Sequence, residues 1–94
     1  MTPTDLVHKN IRISGRVQGV GFRYACRNIA YLLEIKGYVR NLPDGDVYIE
    51  AEGERVQVDE FLAWCREGPP RAEVERVEVE DGEVVGFGDF QLWH

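Results

Sequence analysis

The sequence predicts one α+β domain, residues 1–94, in which two helices pack on one face of a mostly antiparallel sheet. Apolar residues switch between a period of 2 and a period of 3.6 along the chain, which indicates alternating strands and helices. Glycine and proline lie where the period changes, as is typical of element boundaries. The chain is 44% hydrophobic, enough to build a core without a metal or disulfide.

The first two elements are a strand and a helix. In residues 8–17, Ile11 and Ile13 alternate with polar neighbours, which predicts a strand with one buried face. The period then changes to that of an amphipathic helix. Gly37 suits the end of this helix or the turn just after it. The helical stripe comprises Phe22, Ala25, Cys26, Ile29, Ala30 and Leu33.

The middle of the chain predicts a hairpin and a second helix. Strand-like residues 38–42 and 47–52 flank Pro43-Asp44-Gly45-Asp46, a strong turn signal because proline presets φ and glycine accepts positive φ. A second helix is predicted over about residues 54–67, and Gly68-Pro69-Pro70 ends it. The inner face of this helix is predicted to comprise Val58, Phe61, Leu62 and Cys65.

Two strands complete the pattern. Valine alternates with glutamate in residues 73–80, which predicts a strand wetted on one side, and Phe90 and Leu92 mark a short final strand. The order is βαββαβ with one terminal strand added, which is the split βαβ or ferredoxin-like pattern. Its first and third strands are central neighbours, and the second lies beyond the third. This fold alone says little about function.

The charge of the chain argues against several partners. Seventeen acidic residues against 11 basic ones give a net charge of −6, which repels nucleic acid and anionic membranes. Any phosphate site must therefore be a locally positive pocket. No apolar run approaches the ~20 residues of a membrane helix. Residues 1–10 lack an apolar stretch of signal-peptide type, so a cytoplasmic protein is expected. Nothing in the sequence demands more than a monomer.

The cysteines and histidines do not indicate a metal or redox centre. Cys26 and Cys65 lack CxxC spacing and a nearby histidine cluster, which favours two buried thiols, with a disulfide between them as the alternative. His8 and His94 lie near the ends of the chain and are expected in solvent. The acidic residues 73–83 are most simply a solvated face. We therefore expect no metal and no cofactor.

Other charged and aromatic residues have ordinary interpretations. Three arginines are expected to pair with carboxylates on the surface: Arg16, Arg27 and Arg40. The alternative is that they add positive charge near a phosphate pocket. Trp64 and Trp93 are expected to be packing residues.

The informative segment joins the first strand to the first helix. It reads Gly15-Arg16-Val17-Gln18-Gly19-Val20-Gly21-Phe22-Arg23, with three glycines in seven positions, and matches neither the ATP nor the dinucleotide fingerprint. Glycines let a loop aim several N–H groups into one concavity, and a helix N-terminus favours negative charge. Arg23 opposes the helix dipole, and a bound phosphate would explain its position. The alternative is a tight turn whose arginine pairs with a surface carboxylate, and composition alone leaves both open.

Residues 15–23 resemble the signature of the acylphosphatase family. Similar blocks follow in residues 37–47, in Glu52-Gly53 and in Gly68-Pro69-Pro70, so the resemblance covers residues 8 to about 92. It implies a ferredoxin-like fold. It also implies that Arg23 binds the phosphoryl group and that Asn41 holds the attacking water. The backbone N–H groups that would share the phosphoryl group belong to Arg16, Val17, Gln18, Gly19, Val20, Gly21 and Phe22.

The resemblance implies a hydrolase acting on acid anhydrides. It would cleave the carboxyl–phosphate bond of a small-molecule acyl phosphate and release a carboxylate and inorganic phosphate, the latter also an expected competitive ligand. A carboxylate leaves without a strong general acid, and Arg23 with the loop would supply charge stabilisation. Asn41 is too weak a base to deprotonate water fully, so the proton acceptor stays open, with the substrate itself as one candidate.

Two other functional classes compete with the enzyme. A non-catalytic phosphate-binding or regulatory module would need Arg23 but not the water-positioning Asn41. An RNA-binding domain is the third class, because ferredoxin-like sheets often bind single-stranded RNA through exposed aromatics. The pI of about 4.8 and the absence of an RNP-type sequence argue against RNA binding.

Overall fold

Five strands and two helices alternate along the chain in the computed structural model, which describes residues 5–94. The predicted order, βαββαβ with an added terminal strand, is confirmed. The elements are β1 (Leu6–Arg16), α1 (Phe22–Leu32), β2 (Lys36–Asn41), β3 (Val47–Glu54), α2 (Arg55–Glu67), β4 (Glu73–Gly82) and β5 (Phe90–Leu92).

The strands form one sheet in the order β4-β1-β3-β2-β5. β1 pairs antiparallel with both β3 and β4, β2 pairs antiparallel with β3, and only β5 is parallel to its neighbour β2. The first and third strands are therefore central neighbours, as predicted. β1 and β2 both run antiparallel to β3, so they run in the same direction and their C-terminal ends lie at the same end of the sheet.

The core lies between the sheet and the two helices. α1 packs against β2 and β5, and α2 packs against β1, β3 and β4. Val58, Phe61 and Cys65 of α2 are fully buried, as predicted. Cys26 and Cys65 are both free and buried, which confirms the buried-thiol interpretation, and burial raises the pKa of each thiol. In the described part of the chain, no helix is long and apolar enough to cross a membrane.

Gly37 corrects one sequence expectation. It lies inside β2 with φ of 142°, rather than at the end of α1 or in the following turn. A Cβ at this position would overlap the carbonyl of Glu50 on β3, so the glycine permits a close approach of two strands. The chain leaves α1 instead through Leu33 and Glu34, and Glu34 takes a positive φ of 57°.

His8 corrects a second expectation, because it is only 3% exposed. It lies on the face of β1 opposite to Ile11 and Ile13, since strand residues three positions apart point to opposite faces. The segment between β4 and β5 covers that face, and the ring of Phe87 stacks over His8 with 6.1 Å between centroids. His8 Nδ1 lies 2.7 Å from a carboxylate oxygen of Glu52.

Candidate functional site

The loop between β1 and α1 depends on two glycines for its backbone conformation. Gly19 and Gly21 have φ of 74° and 79°, in the left-handed region that residues with a Cβ rarely adopt. A Cβ built on either glycine would meet no atom within 4 Å. Conformation rather than crowding therefore explains the glycines, and both positions face open space that a ligand can approach.

The loop presents N–H groups at the start of α1. Gly21 is the N-cap of the helix and no side chain caps it, and the first turn holds no acidic residue. Among the described residues, no backbone carbonyl accepts from the N–H groups of Gly19, Val20 or Gly21. Unpaired N–H groups at the positive end of a helix dipole form a ready site for an anion.

Arg23 lies in the first turn of α1 beside this loop. Its Nη1 donates a hydrogen bond to the carbonyl oxygen of Trp93 at 2.8 Å. No carboxylate within residues 5–94 forms an ion pair with Arg23, so the interpretation of this arginine as a surface-pairing residue is wrong. A guanidinium has five N–H donors, so the contact with Trp93 leaves donors for a ligand.

Asn41 is the last residue of β2 and lies opposite Val47 of β3. The hairpin that follows it is held to the glycine loop by the side chain of Gln18. Gln18 Nε2 donates to the carbonyl oxygens of Leu42 at 2.8 Å and Asp46 at 2.9 Å. These bonds fix the hairpin, and with it the end of β2, against the loop.

The hairpin itself is braced from β1, and its prediction from Pro43-Asp44-Gly45-Asp46 is confirmed. The Leu42 N–H donates to the Asp46 carbonyl at 2.8 Å. Arg12 donates from Nε to the Asp46 carboxylate at 2.7 Å and also pairs with Asp44. A hydrogen bond from the Asp46 N–H and the nearby Arg12 guanidinium hold the pKa of Asp44 below its usual value. The turn that follows Asn41 is therefore held by hydrogen bonds to both β1 and the glycine loop.

Arg23, Asn41 and the glycine loop line one cavity of about 180 Å³. Larger cavities of about 280 and 460 Å³ lie elsewhere, but neither has the glycine loop on its wall. Two residues of the predicted loop are not on the wall: Arg16 is exposed at the end of β1, and Val20 is buried in the core. The wall consists of Val17, Gln18, Gly19, Gly21, Phe22, Arg23, Tyr24 and Asn41.

Sequence reasoning missed three features of this region. It assigned Gln18 only a backbone N–H and gave no role to Tyr24, which lines the cavity. Trp93 is a packing residue as expected, since its ring stacks on Tyr38 with centroids 3.8 Å apart, but its carbonyl also holds Arg23. The position of Gln18 inside the nine-residue motif was the only available signal, because Gln18 and Trp93 bond to residues far away in sequence and the cavity that Tyr24 lines also includes the distant Asn41.

The comparison with known proteins identifies relatives over nearly the whole chain. A family model described as Acylphosphatase matches residues 9–92. An acylphosphatase from Archaeoglobus fulgidus is 49% identical over 87 residues, which cover 93% of this chain and 98% of the relative. An acylphosphatase from Acaryochloris marina is 51% identical over 92 residues, 98% of each chain. The structure of an acylphosphatase from Coxiella burnetii superimposes with a TM-score of 0.93 at 38% identity, covering 99% of this chain and 100% of the other.

Proposed function

Because the chain belongs to the acylphosphatase family, its reaction is the hydrolysis of acyl phosphates, and we propose that Arg23, the glycine loop and Asn41 carry it out. The carboxyl–phosphate bond is cleaved and a carboxylate and inorganic phosphate are released. One observation supports this assignment above the others: Arg23 and Asn41, 18 positions apart in sequence, line the same small cavity as the glycine loop.

Arg23 and the loop hold the phosphoryl group. The unpaired N–H groups of the loop and the free donors of Arg23 donate hydrogen bonds to the non-bridging oxygens of the phosphoryl group. They also neutralise the charge that these oxygens carry in the transition state, which is the main requirement of phosphoryl transfer. A locally positive pocket of this kind is needed because the whole chain carries a charge of −6.

Asn41 orients the water for in-line attack. Its carboxamide oxygen accepts a hydrogen bond from the water, whose oxygen forms a new bond to phosphorus as the bond from phosphorus to the acyl oxygen breaks. The bonding electron pair leaves with the carboxylate. A proton of the water passes to a phosphoryl oxygen of the substrate, since a carboxamide is too weak a base to keep it.

The leaving group needs no strong general acid. A carboxylate has a usual pKa of about 4, so it is stable as an anion at neutral pH. This matches the composition of the cavity wall, to which residues 5–94 contribute neither a carboxyl nor an imidazole group. Catalysis therefore consists of positioning and charge stabilisation, and no metal is required by the proposed steps.

The proposed enzyme acts as a cytoplasmic monomer of one domain. The proposed steps use only Arg23, Asn41 and the glycine loop, so one copy of the chain is sufficient for the proposed reaction. The two free cysteines suit a reducing compartment, where disulfides are rare. A single core cluster, to which both helices and all strands except β4 contribute buried residues, supports one domain.

The test is hydrolysis of benzoyl phosphate in the presence of a metal chelator. The wild type is expected to hydrolyse it well above the rate in buffer, and Arg23→Ala and Asn41→Ala are each expected to lose on the order of 10²-fold or more in kcat/KM. Arg66→Ala and Asn28→Ala are matched controls, because both residues are exposed and lie off the cavity. A wild type that binds phosphate but hydrolyses nothing would be a sensor built on this fold, and the proposal would be wrong.

A further inference from the structure

Tyr24 is an exposed aromatic residue that lines the proposed phosphoryl site and has no role in the proposed reaction steps. We propose that Tyr24, with Arg27 over its ring, is the recognition surface for the acyl group and favours substrates with a planar aromatic acyl group over small aliphatic ones. This inference rests on the proposed function and names a substrate class for the same site.

The size of the cavity places the acyl group at its rim. A volume of about 180 Å³ is below the ~300–1,000 Å³ of sites that enclose a whole drug-sized ligand. The polar groups of the loop and Arg23 occupy the wall and bind the phosphoryl end. The acyl end, joined to the phosphoryl group through one bridging oxygen, must then leave the cavity and lie against whatever residue forms its mouth.

Tyr24 meets the requirements for such a residue. It lines the same cavity as Arg23 and directly follows that residue on α1. Its surface is 56% exposed, whereas Phe22, which also lines the cavity, is buried in the core. Tyr24 is therefore the aromatic side chain of the cavity wall that remains available for contact with a substrate.

Arg27 lies over this ring and favours one orientation of it. It lies one helical turn after Tyr24, and its guanidinium carbon is 5.5 Å from the ring centroid, within the range of a cation–π contact. No carboxylate among residues 5–94 pairs with Arg27, so the expected surface pairing is replaced by the contact with Tyr24. A ring held in this way offers a preorganised surface, which lowers the entropic cost of stacking a flat acyl group on it.

The test compares benzoyl phosphate with acetyl phosphate, which differ in the acyl group alone. For Tyr24→Ala, kcat/KM for benzoyl phosphate is expected to fall about 3- to 10-fold, mainly through KM, since this is the range of one aromatic pair. The value for acetyl phosphate and the inhibition constant of inorganic phosphate are expected to change less than about 2-fold, because neither ligand reaches the ring. Tyr24→Phe keeps the aromatic ring and is expected to behave like the wild type.

Tyr31→Ala is the matched control, because Tyr31 is on the same helix, is 70% exposed and does not line the cavity. An equal loss for both substrates in Tyr24→Ala would overturn the inference and assign Tyr24 to support of the loop. Unchanged hydrolysis of benzoyl phosphate would also overturn it, since the ring would then make no contact with substrate. Hydrolysis of acetyl phosphate by the wild type reports on the proposed function independently of either result at Tyr24.

Discussion

Gln18 and Leu42 are joined by a hydrogen bond of 2.8 Å between the side-chain amide of the first and the backbone carbonyl of the second. Gln18 belongs to the loop that would hold the phosphoryl group, and Leu42 directly follows Asn41, which would hold the water. The same amide nitrogen reaches the Asp46 carbonyl at 2.9 Å, across the hairpin turn. The two halves of the site therefore have a direct connection besides the sheet, and removing the Gln18 side chain cuts this connection while keeping the backbone N–H group of Gln18.

Gln18→Ala is expected to lower kcat for benzoyl phosphate about 10-fold, because the loop and Asn41 lose their fixed spacing. It is also expected to lower the free energy of unfolding by about 1–3 kcal/mol, since two partly buried carbonyls lose a donor. Steady-state kinetics and urea unfolding measure the two effects. Gln57→Ala on α2, away from the cavity, should show neither. If Gln18→Ala kept the kcat of the wild type, the hydrogen bonds from Gln18 to the hairpin would not be needed to position the site.

Gly21→Ala tests whether the conformation of the loop matters for activity. A residue with a Cβ at φ of 79° costs about 1–2 kcal/mol, and the loop is expected to relax away from the shape that directs its N–H groups. We expect kcat/KM to fall at least 10-fold. Gly86→Ala is the matched control, because Gly86 also has a positive φ, 89°, and an open Cβ position, yet lies off the cavity. Equal kinetics in the two variants would contradict the assignment of the loop.

Trp93→Ala is expected to weaken inhibition by inorganic phosphate about 3-fold and to lower Tm. Stacking on Tyr38, together with a hydrogen bond from the Trp93 N–H to the Val39 carbonyl at 2.9 Å, fixes the carbonyl that holds Arg23. Loss of the ring removes about 0.5–1.5 kcal/mol of stacking and frees the arginine. Trp93→Phe keeps a stacking ring and should retain wild-type inhibition. If Trp93→Ala lowers Tm alone, the contact serves stability rather than the position of Arg23.

The buried pair of His8 and Glu52 predicts a pH-dependent stability. Burial opposes the charged form of each group, but hydrogen bonding prevails: the bonds to Glu52 and Asn10 raise the pKa of His8 above 6.5. The bonds from the Val85, Gly86 and Phe87 N–H groups and from His8 lower the pKa of Glu52 below 4.5. The contribution of His8 is complete below about pH 6.5 and disappears as the pH rises through its raised pKa. That of Glu52 is complete above about pH 4.5 and disappears as the pH falls through its lowered pKa.

His8→Gln should therefore destabilise the protein most between about pH 4.5 and 6.5, by about 1–3 kcal/mol, and less at pH 9. Urea unfolding of the variant and the wild type over this pH range measures the difference. His94→Gln is the control, because His94 is exposed. A difference that is constant from pH 5.5 to 9 would mean that folding does not change the pKa of His8, which would contradict the prediction.

Elements with a local periodic signal were predictable from the sequence. The apolar stripe from Phe22 to Leu33 and the Pro43-Asp44-Gly45-Asp46 turn each reflect neighbouring residues, and each is present as predicted. The region of the site was also predictable, because the nine residues from Gly15 to Arg23 are contiguous. The roles of Arg23 and Asn41 stay predictions until variants are assayed.

Features that depend on distant segments were not predictable. His8 is buried because the segment with Phe87 crosses the open face of the sheet, and no residue near His8 in sequence indicates that this segment covers it. Gly37 looked like a helix terminator, but the close approach of β3 explains it instead. The cavity that Tyr24 lines forms where the glycine loop meets Asn41 at the end of β2, and these segments are distant in sequence. In each case a tertiary contact, rather than a local propensity, determines the environment of the residue.

The division of labour between Arg23 and Asn41 is the central claim, and the inhibition constant of inorganic phosphate tests it most directly. This constant is measured with benzoyl phosphate as the substrate. It depends on how tightly the site binds phosphate and does not depend on the attack of water. Arg23→Ala is expected to raise it at least 10-fold, whereas Asn41→Ala is expected to leave it within about 2-fold while losing on the order of 10²-fold in kcat. Unchanged phosphate inhibition in Arg23→Ala, or wild-type kcat in Asn41→Ala, would contradict the assigned roles.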